Sequence, residues 1–171
     1  NALILVHGFG EHSGRYENLV QALEAVPFSF FIHDLRGHGS SEGERVYVDK
    51  FSDFVEDMYR FRAFIEEKNL RPYRNFILFG QSLGGLIAAQ AALRDQNQWR
   101  ALVLLSPFFG LSGISLGTVL GFVNPILDLI VPRKMWNNPF RPAHLTHDRE
   151  ELERYLSDSL IQRRLTSRLG C

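Results

Sequence analysis

Cysteine is all but missing: the one thiol is the last residue, Cys171, which excludes an internal disulfide framework and a thiolate metal site. Net charge is missing too. Lys plus Arg and Asp plus Glu balance at 19 each, with no run of one sign, so no field draws in a nucleic-acid backbone. The six histidines lack the paired spacing of metal ligands. No G-x-G-x-x-G opens a helix as a dinucleotide site requires, so neither a metal nor a cofactor is expected. Membrane-length apolar runs are also lacking: Ile114 to Val131 comes nearest, but Ser115, Thr118, Asn124, Pro125 and Asp128 interrupt it. No initiating Met, basic leader or cleavage site precedes the apolar segment Ala2 to Val6. The chain therefore reads as an internal fragment that starts inside a domain.

What is present suffices for one substantial core: 171 residues, 45% hydrophobic, too few for two comfortable domains. Ala2 to Val6 is a short continuous apolar run ending at Gly8, the pattern of a strand buried on both faces. From Ser13, Tyr16, Leu19, Val20 and Leu23 recur at helical spacing until Pro27. Phe28 to Ile32 is a second buried run, opening into the glycine-punctuated loop His33 to Ser41. Phe51, Phe54, Val55, Met58, Phe61 and Ile65 predict a long helix ending around Asn69 to Pro72. Phe76 to Phe79 reads as a strand, Leu86 to Leu93 as an Ala-rich helix, and Ala101 to Leu105 as a fourth strand. Strands alternating with helices imply an α/β fold: a mostly parallel sheet with right-handed crossovers and helices on both faces.

After Phe109 the texture changes, with Gly110, Gly113, Gly117 and Gly121, then Pro125, Pro132, Pro139 and Pro142, interleaving with apolar residues. The expected division is a partial core over 1–109 and an inserted helical cap over 110–171. Within the cap, Leu116, Val119, Leu120 and Val123 share one helical face. Asp148 followed by Glu151 resembles a capping pair opening a last helix that carries Leu152, Tyr155, Leu156 and Leu160.

The chemistry concentrates at Gly80-Gln81-Ser82-Leu83-Gly84-Gly85, a G-x-S-x-G set between a strand and a helix, the context that makes the motif a nucleophile elbow. Glycines two residues either side of Ser82 let strand and helix approach, and the serine hydroxyl projects above the sheet as a nucleophile. Leu83 opens the helix, so its N–H is unpaired and lies at the positive end of the helix dipole. A second oxyanion donor is expected from His7-Gly8-Phe9-Gly10 at the same sheet edge, with the Phe9 N–H as candidate. Histidines beside glycine turns more often fix loops than transfer protons. His7 and His12 are read that way, and His33, Asp34, Arg36 and His38 as a loop-holding network. Glu11 and Arg15 could touch a polar head group, or be solvated charges at a helix start.

Three stretches carry a family resemblance: His7-Gly8-Phe9-Gly10-Glu11-His12-Ser13-Gly14-Arg15-Tyr16, Asp34-Leu35-Arg36-Gly37-His38-Gly39-Ser40-Ser41-Glu42-Gly43, and the elbow. Together they resemble the α/β-hydrolase fold's monoacylglycerol lipases and related lysophospholipases, from about Leu3 through Phe109 and again over Tyr155 to Leu160. The resemblance implies Ser82 as nucleophile, Phe9 and Leu83 as oxyanion donors, Glu11 and Arg15 near the substrate's polar head group, and a lid after Phe109 that shapes an acyl channel. Gln81 departs from the His common before the serine, and Ser159 from a Pro in the cap. In this family the triad Asp and His follow the cap on later strands. Neither is assigned in this chain, His144 and His147 lie within the cap, and the fragment alone is expected to be inactive, its sheet cut after the fourth strand.

The function expected is hydrolysis of lipid carboxylic esters, a small-molecule substrate, through an acyl-enzyme on Ser82, with transient membrane-surface contact through the cap and a cytoplasmic or peripheral membrane location. A proline iminopeptidase-like peptidase is the nearest rival. A non-catalytic binding module on the same fold is the other alternative. A dehalogenase would need Asp at the elbow.

Overall fold

The computed structural model describes residues 1–68, 72–110, 126–138 and 142–170. Four parallel strands form its sheet: β1 (Ala2–Val6), β2 (Ser29–Ile32), β3 (Phe76–Gln81) and β4 (Ala101–Leu105), in the order β2-β1-β3-β4. Ile4 is the Cα partner of Phe31 on one side and of Leu78 on the other. Because side chains alternate across a strand, the sheet has two apolar faces. Ala2, Ile4, Val6, Phe76 and Leu78 face α2 (Ser52–Lys68) and α3 (Leu83–Arg94), which contribute Phe54, Met58, Ile65 and Ile87 to the core. Each fully buried side chain of that size contributes roughly 1.5–3 kcal/mol. Leu3 and Leu5 form a smaller cluster on the other face with Tyr16, whose 3-10 turn Ser13–Tyr16 leads into α1 (Glu17–Ala22).

Four expectations from sequence shift in detail. The helix read up to Pro27 stops at Ala22: Leu23 N–H is shared between Leu19 and Val20 carbonyls, and Glu24 N–H bonds Gln21. The chain has tightened from i−4 to i−3 bonding. The run Phe28 to Ile32 is half-buried, because β2 pairs with β1 alone among the described strands. The third strand extends to Gln81, and the helix after it starts at Leu83, as the elbow required, a turn before the apolar run Leu86 to Leu93, so strand and helix meet at one residue. Leu160 lies beyond α4 (Arg149–Ser157), because the Asp158 carboxylate accepts the Leu160 N–H in a turn. The expected N-cap holds: Asp148 Oδ1 accepts from Glu150 and Glu151 N–H.

A short antiparallel ribbon, β5 (Met135–Asn137) with β6 (Arg164–Thr166), was not foreseen. It is three residues long on each strand, below the length at which alternation gives a signal. The helical face Leu116 to Val123 lies outside the described residues. Leu102, Val103 and Leu105 on β4 are exposed. Among the described residues no helix is long and apolar enough to cross a membrane.

Candidate active site

Ser82 stands alone between β3 and α3 with φ 51° and ψ −118°. Left-handed backbone at a residue other than glycine costs on the order of 1–3 kcal/mol and persists only where the surroundings over-determine it. Here they do. The Ser82 N–H donates to the Leu105 carbonyl at 3.0 Å, and the Ser82 carbonyl accepts from Gly85, Leu86 and Phe108 N–H at 2.9, 3.2 and 3.0 Å. The flanking glycines remove the steric obstacle. A Cβ on Gly80 would stand 2.7 Å from the Ala88 Cβ, and one on Gly84 would stand 2.5 Å from the His7 carbonyl oxygen. The elbow thus wedges α3 against the end of β1, while Ser82 itself stays only half-buried.

The first loop runs along the elbow: a Cβ on Gly8 would lie 3.3 Å from the Ser82 Cβ. Neither the Phe9 N–H nor the Leu83 N–H has an acceptor among the described residues. Two unpaired donors therefore flank the strained serine, and its hydroxyl is likewise unpaired among them. The His7 ring lies behind the loop, fully buried, accepting the Leu35 N–H at Nε2 (2.9 Å) and bonding the Gly8 carbonyl through Nδ1 (2.8 Å). Burial holds its pKa down to about 3, so the imidazole is neutral.

Glu11 and Arg15 are not the solvated charges that a helix start allows. Arg15 bonds Glu11 Oε1 at 3.2 Å and Glu151 of α4 at 2.8 Å, and its guanidinium lies 5.1 Å from the Tyr155 ring centroid. Glu11 Oε2 accepts the Tyr16 hydroxyl at 3.0 Å, and that hydroxyl is 3.2 Å from Gln81 Oε1. Burial, then the Glu11 carboxylate, pushes the Tyr16 phenol upward, so it stays a donor. Glu11, Arg15 and Tyr16 thus link the elbow's Gln81 to α4. Tyr16, Gln81, Glu151 and Tyr155 had no sequence signal for this role, since their separation in the chain hides the contact. His12 also reaches across, bonding Asp158 at 2.7 Å.

The loop after β2 behaves as a clamp with one exception. Asp34 accepts the Ser13 and Ser40 N–H groups, both at 2.7 Å. Burial alone would raise the Asp34 pKa, but these bonds outweigh it and hold the carboxyl below its ordinary value. Arg36 makes a two-pronged bond to Asp57 at 2.6 and 2.7 Å, and His38 bonds the Arg36 carbonyl at 3.0 Å. His33, expected in the same network, instead packs on Phe61 with ring centroids 4.4 Å apart and neither nitrogen hydrogen-bonded. Burial lowers its pKa to about 4. Its neutral ring packs on Phe61 with both nitrogens unsatisfied among the described residues.

No group of three His, Cys, Asp or Glu among the described residues could hold a metal ion. No imidazole among them is hydrogen-bonded to Ser82, and His147 is exposed.

A parallel sheet whose third strand ends in a strained serine at a helix start defines an α/β hydrolase. The family described as serine aminopeptidase, S33, matches residues 1–171, and the chain belongs to it. It is 36% identical to human monoglyceride lipase over 163 residues, covering 95% of this chain and 53% of that protein. It is 32% identical to the monoacylglycerol lipase of Mycolicibacterium smegmatis over 161 residues, covering 93% and 55%. The crystal structure of Paleococcus ferrophilus monoacylglycerol lipase superposes with a TM-score of 0.83 at 30% identity, covering 99% of this chain and 63% of that one. The chain spans about half the length of the curated relatives it matches.

Proposed function

We propose that the full protein is a serine hydrolase that cleaves carboxylic esters of lipids, monoacylglycerols or lysophospholipids, through an acyl-enzyme on Ser82. The observation that carries this reading is the left-handed Ser82 between two unpaired N–H groups. Its similarity to monoglyceride and monoacylglycerol lipases favours the lipid ester as substrate. The Ser82 Oγ attacks the ester carbonyl carbon, and the carbonyl electron pair moves onto oxygen, where the Phe9 and Leu83 N–H groups stabilise the oxyanion. Collapse breaks the bond to the alcohol, which leaves with a proton. Water then attacks the acyl-enzyme, releasing the fatty acid and restoring the serine hydroxyl. The base that takes the serine proton comes from outside the described residues.

Residues 1–109 then serve as the catalytic core and 110–171 as a cap over it, with Glu11 and Arg15 beside the substrate's polar head group. The cap side chains Ile126, Leu129 and Ile130 are exposed next to Arg133 and Lys134, a pairing suited to transient contact with an anionic lipid surface. Co-sedimentation of the full-length protein with anionic but not zwitterionic vesicles tests that contact, and equal sedimentation with both, or with neither, refutes it.

The decisive experiment labels the full-length protein with a fluorophosphonate and assays monoacylglycerols against amino-acid arylamides. Ester turnover with labelling at Ser82 is expected. Ser82→Ala should lower kcat by on the order of 10⁶. Turnover of arylamides alone would make the protein a peptidase, and labelling that survives Ser82→Ala would remove Ser82 from the mechanism.

A further inference from the structure

We infer that His7 is a positioning residue that locks the Gly8–Phe9 peptide with its carbonyl turned into the core and its N–H turned toward Ser82. The inference rests on the oxyanion role proposed for Phe9, and its geometry can be tested apart from that role.

The tautomer follows from the partners. The Leu35 N–H can only donate, and it meets His7 Nε2 at 2.9 Å, so Nε2 carries the lone pair. A neutral ring then has its proton on Nδ1, which donates to the Gly8 carbonyl oxygen at 2.8 Å. Both ring nitrogens are used, and in opposite senses. The peptide bonds are all trans among the described residues, and in a planar trans peptide the C=O and N–H point in opposite directions. Holding the Gly8 carbonyl against a buried ring therefore sends the Phe9 N–H the other way, to the side where Gly8 abuts Ser82. That N–H finds no acceptor among the described residues.

Two further contacts steady the lock. The Phe9 ring meets His38 edge-on, with centroids 6.0 Å apart and an interplanar angle of 85°, and His38 in turn leans on His7 at 5.5 Å. The Glu11 N–H approaches the Gly8 carbonyl at 3.4 Å, too long to fix a peptide plane alone. A glycine on one side of that peptide leaves the backbone free to rotate without His7.

His7→Asn and His7→Gln divide the two bonds. The Asn amide nitrogen overlays Nδ1 and can donate to the Gly8 carbonyl, whereas the Gln amide overlays Nε2 and keeps only the Leu35 bond. In the full-length protein, His7→Gln should lower kcat about 100- to 1000-fold, the usual effect of losing one oxyanion donor, with KM little changed. His7→Asn should retain kcat within about tenfold of the parent, although each variant loses one buried bond. Equal kcat losses in both variants, or a loss carried by KM, would overturn the lock. A crystal structure of His7→Gln should show the Gly8 carbonyl rotated, and a carbonyl left in place would also overturn it. A rotated carbonyl in a protein that hydrolyses no ester would keep the lock and refute the proposed function instead. Nitrogen-15 spectra of the parent, which need no variant, should show His7 protonated on Nδ1 and bare on Nε2 at pH 7; the opposite tautomer would sink the inference.

Discussion

The elbow and the C-terminal segment, residues 126–138 and 142–170, are held by different kinds of force. Around Ser82 the backbone is fixed by close approach: strand, helix and first loop meet where side chains are missing, at Gly8, Gly80 and Gly84. The C-terminal segment, by contrast, is tied down by side-chain bonds between residues far apart in sequence. His12 bonds Asp158, Arg15 bonds Glu151, Thr166 bonds the Val46 carbonyl, and Arg168 bonds the Asp49 carbonyl. Among the described residues only the Gln162 N–H, bonded to the Gly10 carbonyl of the first loop at 2.8 Å, joins the two regions by backbone alone. Steric wedges fail abruptly when violated, whereas individual hydrogen bonds can be removed one at a time.

Substitution at the wedge should therefore give the largest effect. Gly84→Ala would set a Cβ 2.5 Å from the His7 carbonyl oxygen and 2.6 Å from the Val6 carbonyl carbon, both rigid backbone. A destabilisation of about 5 kcal/mol or more is expected, in the range reserved for severe core disruption. Denaturant unfolding measures it, and a Gly84→Ala protein within 1 kcal/mol of the parent, by the linear extrapolation that yields such values, would show that the helix can shift freely at the elbow.

The same contrast explains what could be read from the sequence. The parallel sheet, the long α2 and the elbow announce themselves locally, through apolar runs, helical spacing and glycines at fixed offsets from Ser82. Phe9 and Leu83 were singled out by the same local logic, and among the described residues the N–H of each is left without an acceptor. Glu11 and Arg15 were legible as positions but not as a bridge, because Glu151 and Tyr155 reach them only after the chain has folded back. His33 was misjudged for a related reason. Its neighbours in sequence, Asp34 and Arg36, suggest a polar network, yet its ring points at Phe61 on a distant helix. The β5–β6 ribbon depends wholly on how the C-terminal segment folds back on itself and left no periodic trace.

A second test uses acid, since the groups that acid disturbs sit on the core side. Burial holds His7 near pKa 3 and His33 near 4, and lowers His38 as well. In the unfolded chain these histidines titrate near 6.5. The folded state thus binds fewer protons than the unfolded state as pH falls below about 6.5, and stability rises with pH through that window. Their contribution is complete above the unfolded value and is lost progressively down to the folded ones. At pH 5.5 each of His7 and His33 should cost about 1.4 kcal/mol relative to pH 7.5, together roughly 3 kcal/mol, with His38 acting in the same direction. Unfolding midpoints measured across that range check the slope, and His33→Phe should flatten it by one proton. The Asp158 carboxyl acts in the same direction at lower pH, through its charged form and not a neutral one. Burial would raise its pKa, but the His12 and Leu160 bonds outweigh that and hold it below its ordinary value. An invariant stability from pH 7.5 to 5.5 would mean that these rings are hydrated in solution.

The smallest of the three effects is expected at Thr166, which ties β6 to the loop around Val46. Its side chain is fully buried, its hydroxyl donates to the Val46 carbonyl at 2.7 Å, and the same oxygen accepts the Leu169 N–H at 3.3 Å. Val46 is itself unusual: a β-branched residue at φ 50°, buried, with its N–H bonded to the Gly37 carbonyl at 3.0 Å. Such a conformation is disfavoured for a branched side chain, so bonds at both ends of the residue are what keep it there. Thr166→Val preserves shape and volume but leaves the Val46 carbonyl and the Leu169 N–H without partners, at a cost of about 1–3 kcal/mol. The loss should appear as faster proteolysis within β6 and the segment around Val46, while the elbow, wedged by glycines, keeps its protection against hydrogen exchange. Protection lost equally at Ser82 and at Val46 would mean that the C-terminal segment and the elbow unfold as one unit, and the distinction between wedge and tether would collapse.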